Sequence, residues 1–172
     1  MIGNDVVDLW QTRHESNWQR KGFLEKLFTN QEQLLINHHS DPEIMVWLLW
    51  SMKEAVYKIY NRETKIRAYI PKNLVCSNIS FLNNNSIHGQ VNCNENRYYT
   101  KSYLDNDYIH TIATNTPGDL NNAVEIENKN IKKDEYGIPY LQMLPDKLHD
   151  VSISHHGRFE KVVTILKASK LK

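Results

Sequence analysis

Residues 47–58 read WLLWSMKEAVYK, and the way this stretch folds decides how the rest of the chain must pack. Its spacing predicts a helix. Glu54 and Lys58 stand one helical turn apart and project from one face, while Met45, Leu49, Met52, Val56 and Ile59 make an apolar stripe on roughly the opposite side. Trp47 and Trp50 fall on the side of the charged pair. A helix that is apolar on two sides is expected to be covered on both. Glu54 and Lys58 would then lie at the edge of a cleft, where a charge is costly unless it meets an opposite charge, a metal or an anion. An intrahelical salt bridge also meets that need, and on spacing alone it is the commoner outcome.

The composition narrows the field. With 172 residues the chain can bury a real core, as one domain or as two closely fused small lobes. A net charge of +1 with 24% charged residues leaves no polybasic footprint for nucleic acid or a membrane surface. The opening MIGNDVVDLW lacks the basic segment and apolar core of a signal peptide, and the longest apolar run, residues 44–50, is too short to span a bilayer. Cys76 and Cys93 read as free thiols rather than a disulfide framework. The expectation is a soluble, cytoplasmic, globular protein.

Outward from the central helix, residues 1–9 read as a short strand carrying Asp5 and Asp8, with Asp5 alone also readable as a turn or cap residue. Helical pattern runs from about Gln11 to His39, with a capping box at Thr29–Glu32, and Asp41-Pro42 starts the next helix. Arg13, Arg20, Lys21 and Lys26 make the first helical region basic, either as a solvated face or as a docking surface for an acidic partner. Residues 66–116 carry β-branched and aromatic runs separated by Asn- and Gly-bearing turns, a meander of antiparallel strands. Residues 118–134 read as a polar connection. A turn at residues 136–139 and two final strands follow, joined by His155-His156-Gly157-Arg158.

Three signals bear chemistry: IGNDVVDL (2–9), WSMKEAVYK (50–58) and SISHHGR (152–158). One acid at a strand end and one on a helix can hold a hard cation such as Mg2+, whose remaining positions go to phosphate oxygens and water. A lysine one turn beyond the carboxylate can neutralise the same phosphates. Ser-His-His-Gly-Arg at a tight turn offers hydroxyl, imidazole, backbone N–H and guanidinium groups, a set suited to phosphate, although an ordinary hairpin with a polar tip has the same look. The adjacent histidines lack zinc-ligand spacing.

Together these motifs resemble the 4'-phosphopantetheinyl transferase superfamily. IGNDVVDL is similar to its Ile-Gly-x-Asp strand, in the form found in small holo-acyl-carrier-protein synthases, whose second acid lies three residues after the Asp. WSMKEAVYK is similar to its Trp-x-x-Lys-Glu-Ala/Ser-x-x-Lys helix, and SISHHGR to its Ser-x-Ser-His element, both in the style of the larger surfactin-synthetase-type enzymes. YGIPYL (136–141) resembles its Gly-Lys-Pro turn, with Ile138 in place of the lysine. Val7 stands where the larger enzymes keep a second metal carboxylate, and Leu49 where small synthases often have a nucleotide-binding arginine.

The resemblance implies an α+β fold with helices packed on a small antiparallel sheet. It implies a single domain over 1–172, residues 1–116 carrying the Asp/Glu metal site and 117–172 the Ser-His nucleotide-binding segment. The implied activity is Mg2+-dependent transfer of 4'-phosphopantetheine from coenzyme A to a serine of an acidic apo acyl or peptidyl carrier protein, as in fatty acid biosynthesis, with release of adenosine 3',5'-bisphosphate. Asp5 and Glu54 would hold the metal, with Asp8 or water standing in for the carboxylate missing at Val7. Glu54 would also serve as base, Lys58 would hold the diphosphate with help from Lys53, and Ser154, His155 and Arg158 would bind the nucleotide. The basic first helix would meet the carrier protein. With one copy of each element, the family analogy implies a homo-oligomer, a trimer with sites shared between subunits, unless residues 117–172 fold back and complete the site in cis. The rival readings are a non-catalytic member of the fold that binds coenzyme A or a carrier, and a Mg2+-dependent phosphohydrolase.

Overall fold

The computed structural model describes residues 1–68, 70–83, 85–144 and 147–166, with the backbone only at 143, 144 and 147. Its first strand, β1 (Ile2–Asp8), leads into α1 (Leu9–Glu15), α2 (Phe23–Leu27), α3 (Asn30–His38) and the long α4 (Pro42–Thr64). A meander follows: β2 (Val75–Asn83), β3 (Ser86–Cys93), β4 (Asn96–Leu104) and β5 (Tyr108–Thr114). After a 3-10 turn at Pro117–Asn122 come β6 (Ala123–Glu125), β7 (Ile131–Lys133), β8 (Pro139–Leu144), β9 (Lys147–His156) and β10 (Phe159–Ile165). The class is α+β, with the strands in two five-stranded sheets, β1-β5-β4-β3-β2 and β6-β10-β9-β8-β7, rather than one small sheet.

Local signals set the helix starts. The Asp41 carboxylate accepts from Ile44 N at the start of α4, with Pro42 in the first turn. Thr29 and Glu32 form the reciprocal capping box of α3. What reads as one helical region before residue 39 is three short helices, because Gly22 takes a left-handed conformation at φ 82° and Phe28 is extended.

Helix α4 is the central pillar. Its stripe Met45, Leu49, Met52, Val56 and Ile59 is fully or almost fully buried, and so is Trp47 on the other side, which meets Phe23 edge-on. One side of α4 packs on the first sheet. Residue Gly3 lets β1 cross close to the helix, since a Cβ there would lie 2.0 Å from the Ala55 carbonyl oxygen. Strands alternate their faces, so the even residues of β1 point away from α4. Ile2 packs with Ile112 and Val163 on that second face, where β9 and β10 lie against β1. This makes β1 a strand covered on both sides, and every one of its residues except Asp5 is buried. Among the described residues no helix is long and apolar enough to cross a membrane. Cys76 and Cys93 are buried free thiols.

Candidate active site

Strand β1, helix α4 and strand β9 converge within one chain. Asp5 lies on the β1 face towards α4, where Ser51 Oγ donates to its carbonyl at 3.5 Å and Lys58 Nζ stands 4.0 Å from its Oδ1. The Asp5 Oδ2 atom is buried with no hydrogen-bond donor. Burial pushes the Asp5 carboxyl up to about 7, against the pull of Lys58 and with the nearby Glu54 adding to the rise. Lys58 donates to Asn4 O at 2.6 Å and to Ile153 O at 3.1 Å, so one ammonium bridges β1 and β9. Its own burial lowers its pKa, while Asp5 and Glu54 oppose that fall.

Two cavities flank this cluster and share His155 as a wall. One, of about 360 Å³, is lined by Asp5, Glu54, Trp47, Trp50, Thr12 and His156 among others. The other, of about 340 Å³, is lined by Lys58, Asn61, Arg62, Lys133, Tyr57 and the turn Gly137-Ile138-Pro139 with β9. Carboxylates therefore face the first space, while three cationic side chains and an imidazole face the second. Among the described residues no group of three or more His, Cys, Asp or Glu forms a metal cluster. The pair of Asp5 and Glu54, with one carboxylate oxygen lacking a donor, is the sparse donor set that suits Mg2+ when phosphates and water complete its shell.

Of the residues that the sequence singles out, Asp5, Glu54, Lys58 and His155 come together here, and four others do not. Asp8 caps α1, accepting from Trp10 N and Gln11 N, and also takes the Arg158 guanidinium at 2.8 and 2.9 Å. The Arg158 hydrogen bonds hold the Asp8 carboxyl well below the usual carboxylate range. Asp8 thus serves a cap and an ion pair, and Arg158 pairs with Asp8 and Asp107. Lys53 is fully buried, 2.9 Å from Glu32, and donates to the Pro71 and Leu74 carbonyls, so it clamps α4 to α3 and the segment before β2 instead of reaching a phosphate. Ser154 turns its hydroxyl inward, where it accepts from Asn4 Nδ2 at 2.9 Å. Strand alternation explains the split, because Ser154 and His155 must face opposite ways.

Several lining residues escape the sequence reading. Arg62 lies one turn beyond Lys58 and two beyond Glu54, a periodicity that could have flagged it. It donates to Asp150 and to the Pro139 and Val151 carbonyls, tying the end of α4 to the second sheet. Lys133 sits on β7, inside a stretch that reads as featureless polar connection. No local pattern marks it. His156 accepts from the Asp8 backbone N–H through Nδ1 at 2.9 Å, fixing where the hairpin tip meets β1.

A family model described as the 4'-phosphopantetheinyl transferase superfamily matches residues 1–113. The chain belongs to that superfamily. It is thereby placed among transferases that act on carrier proteins with coenzyme A as a substrate. The match takes in Asp5, Glu54 and Lys58 and stops before β6, so the place of His155 in this transferase rests on geometry. No curated protein matches the chain.

Proposed function

We propose that this transferase moves 4'-phosphopantetheine from coenzyme A to the serine of an apo carrier protein, using a site completed within a single chain. The observation that carries the reading is the Lys58 ammonium, held by carbonyls of both β1 and β9 beside Asp5. It links the carboxylates of the matched region to the cationic cavity beyond it. The reason to invoke a partner copy, a Ser-His strand lying elsewhere, does not arise when β9 packs on β1 of the same chain.

In this reading Asp5 and Glu54 hold Mg2+, which when bound supplies charge neutralisation at the diphosphate. Lys58 sits at the boundary of the two cavities and neutralises the same diphosphate from the other side. The carrier serine oxygen attacks the β-phosphorus, a Ser O–P bond forms, and the bond from that phosphorus to the bridging oxygen breaks. The bridging oxygen leaves on adenosine 3',5'-bisphosphate. Glu54 takes the serine proton, directly or through water. His155 and Lys133 meet the nucleotide phosphates, Lys133 providing the cation that Ile138 does not. Ile138 is almost fully buried and forms an apolar wall. Catalysis of this kind rests on alignment and charge neutralisation rather than on a covalent enzyme intermediate. The α1 helix borders the carboxylate cavity through Thr12 and carries on its exposed side Arg13, paired with Glu43, so an acidic carrier approaching over that helix would compete with Glu43 for it.

The test is the intact mass of an apo acyl carrier protein after incubation with the protein, coenzyme A and Mg2+, run with Glu54→Gln and with EDTA. The expected outcome is a phosphopantetheine mass gain that both controls abolish, and that persists in the monomer fraction from size exclusion. Coenzyme A cleaved with no carrier present would refute transfer in favour of a phosphohydrolase. Coenzyme A bound without transfer to several carriers would make the protein a binding module.

A further inference from the structure

Residue Asn4 touches both halves of the site. Its backbone carbonyl accepts from Lys58 Nζ at 2.6 Å, and its backbone N–H donates to Ser152 Oγ at 2.9 Å. Its side-chain amide crosses the gap to the second sheet, where Nδ2 donates to Ser154 Oγ at 2.9 Å and to Lys161 O at 3.1 Å, with His110 Nε2 at 3.3 Å. The carbonyl of Lys161 can only accept, which fixes the amide with its NH2 towards β9 and β10. The two N–H groups then face Ser154 Oγ, Lys161 O and His110 Nε2, and Oδ1 is buried with no donor. Such an arrangement costs stability. Asn4 is fully buried, as are Ser152, Ser154 and His110 to within a few percent. A buried polar cluster of this kind sets a single register where an apolar contact would tolerate sliding, because any slip leaves the donors unpaired.

We propose that Asn4 is a positioning residue that locks β9 in register on β1 and so places His155 and Lys58 against the coenzyme A cavity. The inference rests on the transfer reading above. Asn4 itself touches no reacting atom. Ser154 hands its orientation to His155, the next residue on β9, whose ring walls both cavities. Lys58 is met directly, by the backbone carbonyl of Asn4 itself. A loss of register should therefore weaken what the cationic cavity holds and leave what docks on α1 untouched.

The experiment compares Asn4→Ala, Ser154→Ala and the double variant, with calorimetric coenzyme A affinity, the KM for coenzyme A and the KM for the carrier protein as readouts. Ser154→Ala removes a single oxygen and leaves the Asn4 bond to Lys161 O in place, so it keeps the test open if Asn4→Ala does not fold. The expected result is a roughly tenfold weaker coenzyme A in each single variant, with no further loss in the double and an unchanged carrier KM. For Ser154→Ala alone, the same weakening with an unchanged carrier KM supports the inference. Losses that multiply in the double variant, equal losses in both KM values, or Ser154→Ala binding coenzyme A like the wild type would overturn it. A wild-type protein that neither binds coenzyme A nor modifies a carrier would instead defeat the transfer reading, which separates the two failures.

Discussion

Gly3→Ala is the sharpest perturbation of the packing that brings the carboxylates together. A Cβ at residue 3 would lie 2.0 Å from the Ala55 carbonyl oxygen and 3.1 Å from Ile59 Cγ1. The oxygen is backbone and belongs to the α4 ladder, so it cannot swing aside as a side-chain end could. Real Cβ atoms essentially never approach below 3.0 Å, so β1 and α4 must part by about 1 Å at this crossing. Overpacking of this kind costs about 1–3 kcal/mol. For a chain of this size that is a fall of about 2–12 °C in Tm. The consequence for the site is larger. Asp5 lies two residues along β1 from the clash and Glu54 adjoins Ala55, so the separation opens the carboxylate pair itself. A displacement near 1 Å costs on the order of 100-fold in rate. The assay is thermal unfolding together with mass-spectrometric transfer to a carrier, with Gly118→Ala as control because nothing lies within 4 Å of a Cβ there. Wild-type Tm and rate in Gly3→Ala would refute the crossing. A lowered Tm with an undiminished rate would refute the claim that the crossing sets the carboxylate geometry.

Two further outcomes follow from buried polar groups. Lys53→Met leaves the Glu32 carboxylate, 1% exposed, without its cation, and should cost about 3–5 kcal/mol in urea unfolding; Glu32→Gln in the same chain should recover only part of that, because it removes the unpaired charge but also one of the two oxygens that accept from Thr29 N and Cys76 N. A lowered coenzyme A affinity at unchanged stability would instead return Lys53 to the binding site. His110 is held neutral, its pKa pushed down to about 4 by burial first and then by Lys161 and Lys58. The unfolded chain takes up that proton near 6.5 and the folded one only near 4, so stability falls as pH drops through this window, by about 3 kcal/mol from this group. Asp5, raised to about 7, contributes with the opposite sign over the same window, so the check is the difference between two titrations: from pH 7 to 4 His110→Gln should lose less stability, or gain more, than the wild type. An equal slope in the variant would assign the effect elsewhere.

The central helix was legible because its signals are local. Apolar spacing, the Asp41 cap and the Pro42 start all act within a turn or two, and they define α4 in the fold as they do in the sequence. Asp5, Glu54 and Lys58 stand out in the sequence through motif resemblance, and the fold brings them together. What stayed hidden depends on which strand faces which. The residues of SISHHGR alternate faces, so a reading that treats the motif as one polar tip assigns Ser154 and Arg158 the same job as His155. Only packing against β1 shows that Ser154 looks inward to Asn4 and that Arg158 serves Asp8. Lys53 misleads for a similar reason: it adjoins Glu54 in sequence, yet neighbouring helix residues point in different directions, and its partner Glu32 lies 21 residues earlier. The edge strands β6 and β7 were obscured because three residues carry too little alternation to read.

The packing of β9 against β1 also imposes a timetable. Asn4 and Ser152 are 148 residues apart, so the strand that carries Asp5 leaves the ribosome long before the strand that walls its cavity. At roughly 5–20 residues per second that interval is on the order of ten seconds. Through it Ile2 and Asn4 present a wet, half-apolar face with no partner, while α4 can already cover the other side. That surface waits for the β9–β10 hairpin, which is synthesised last and packs over it.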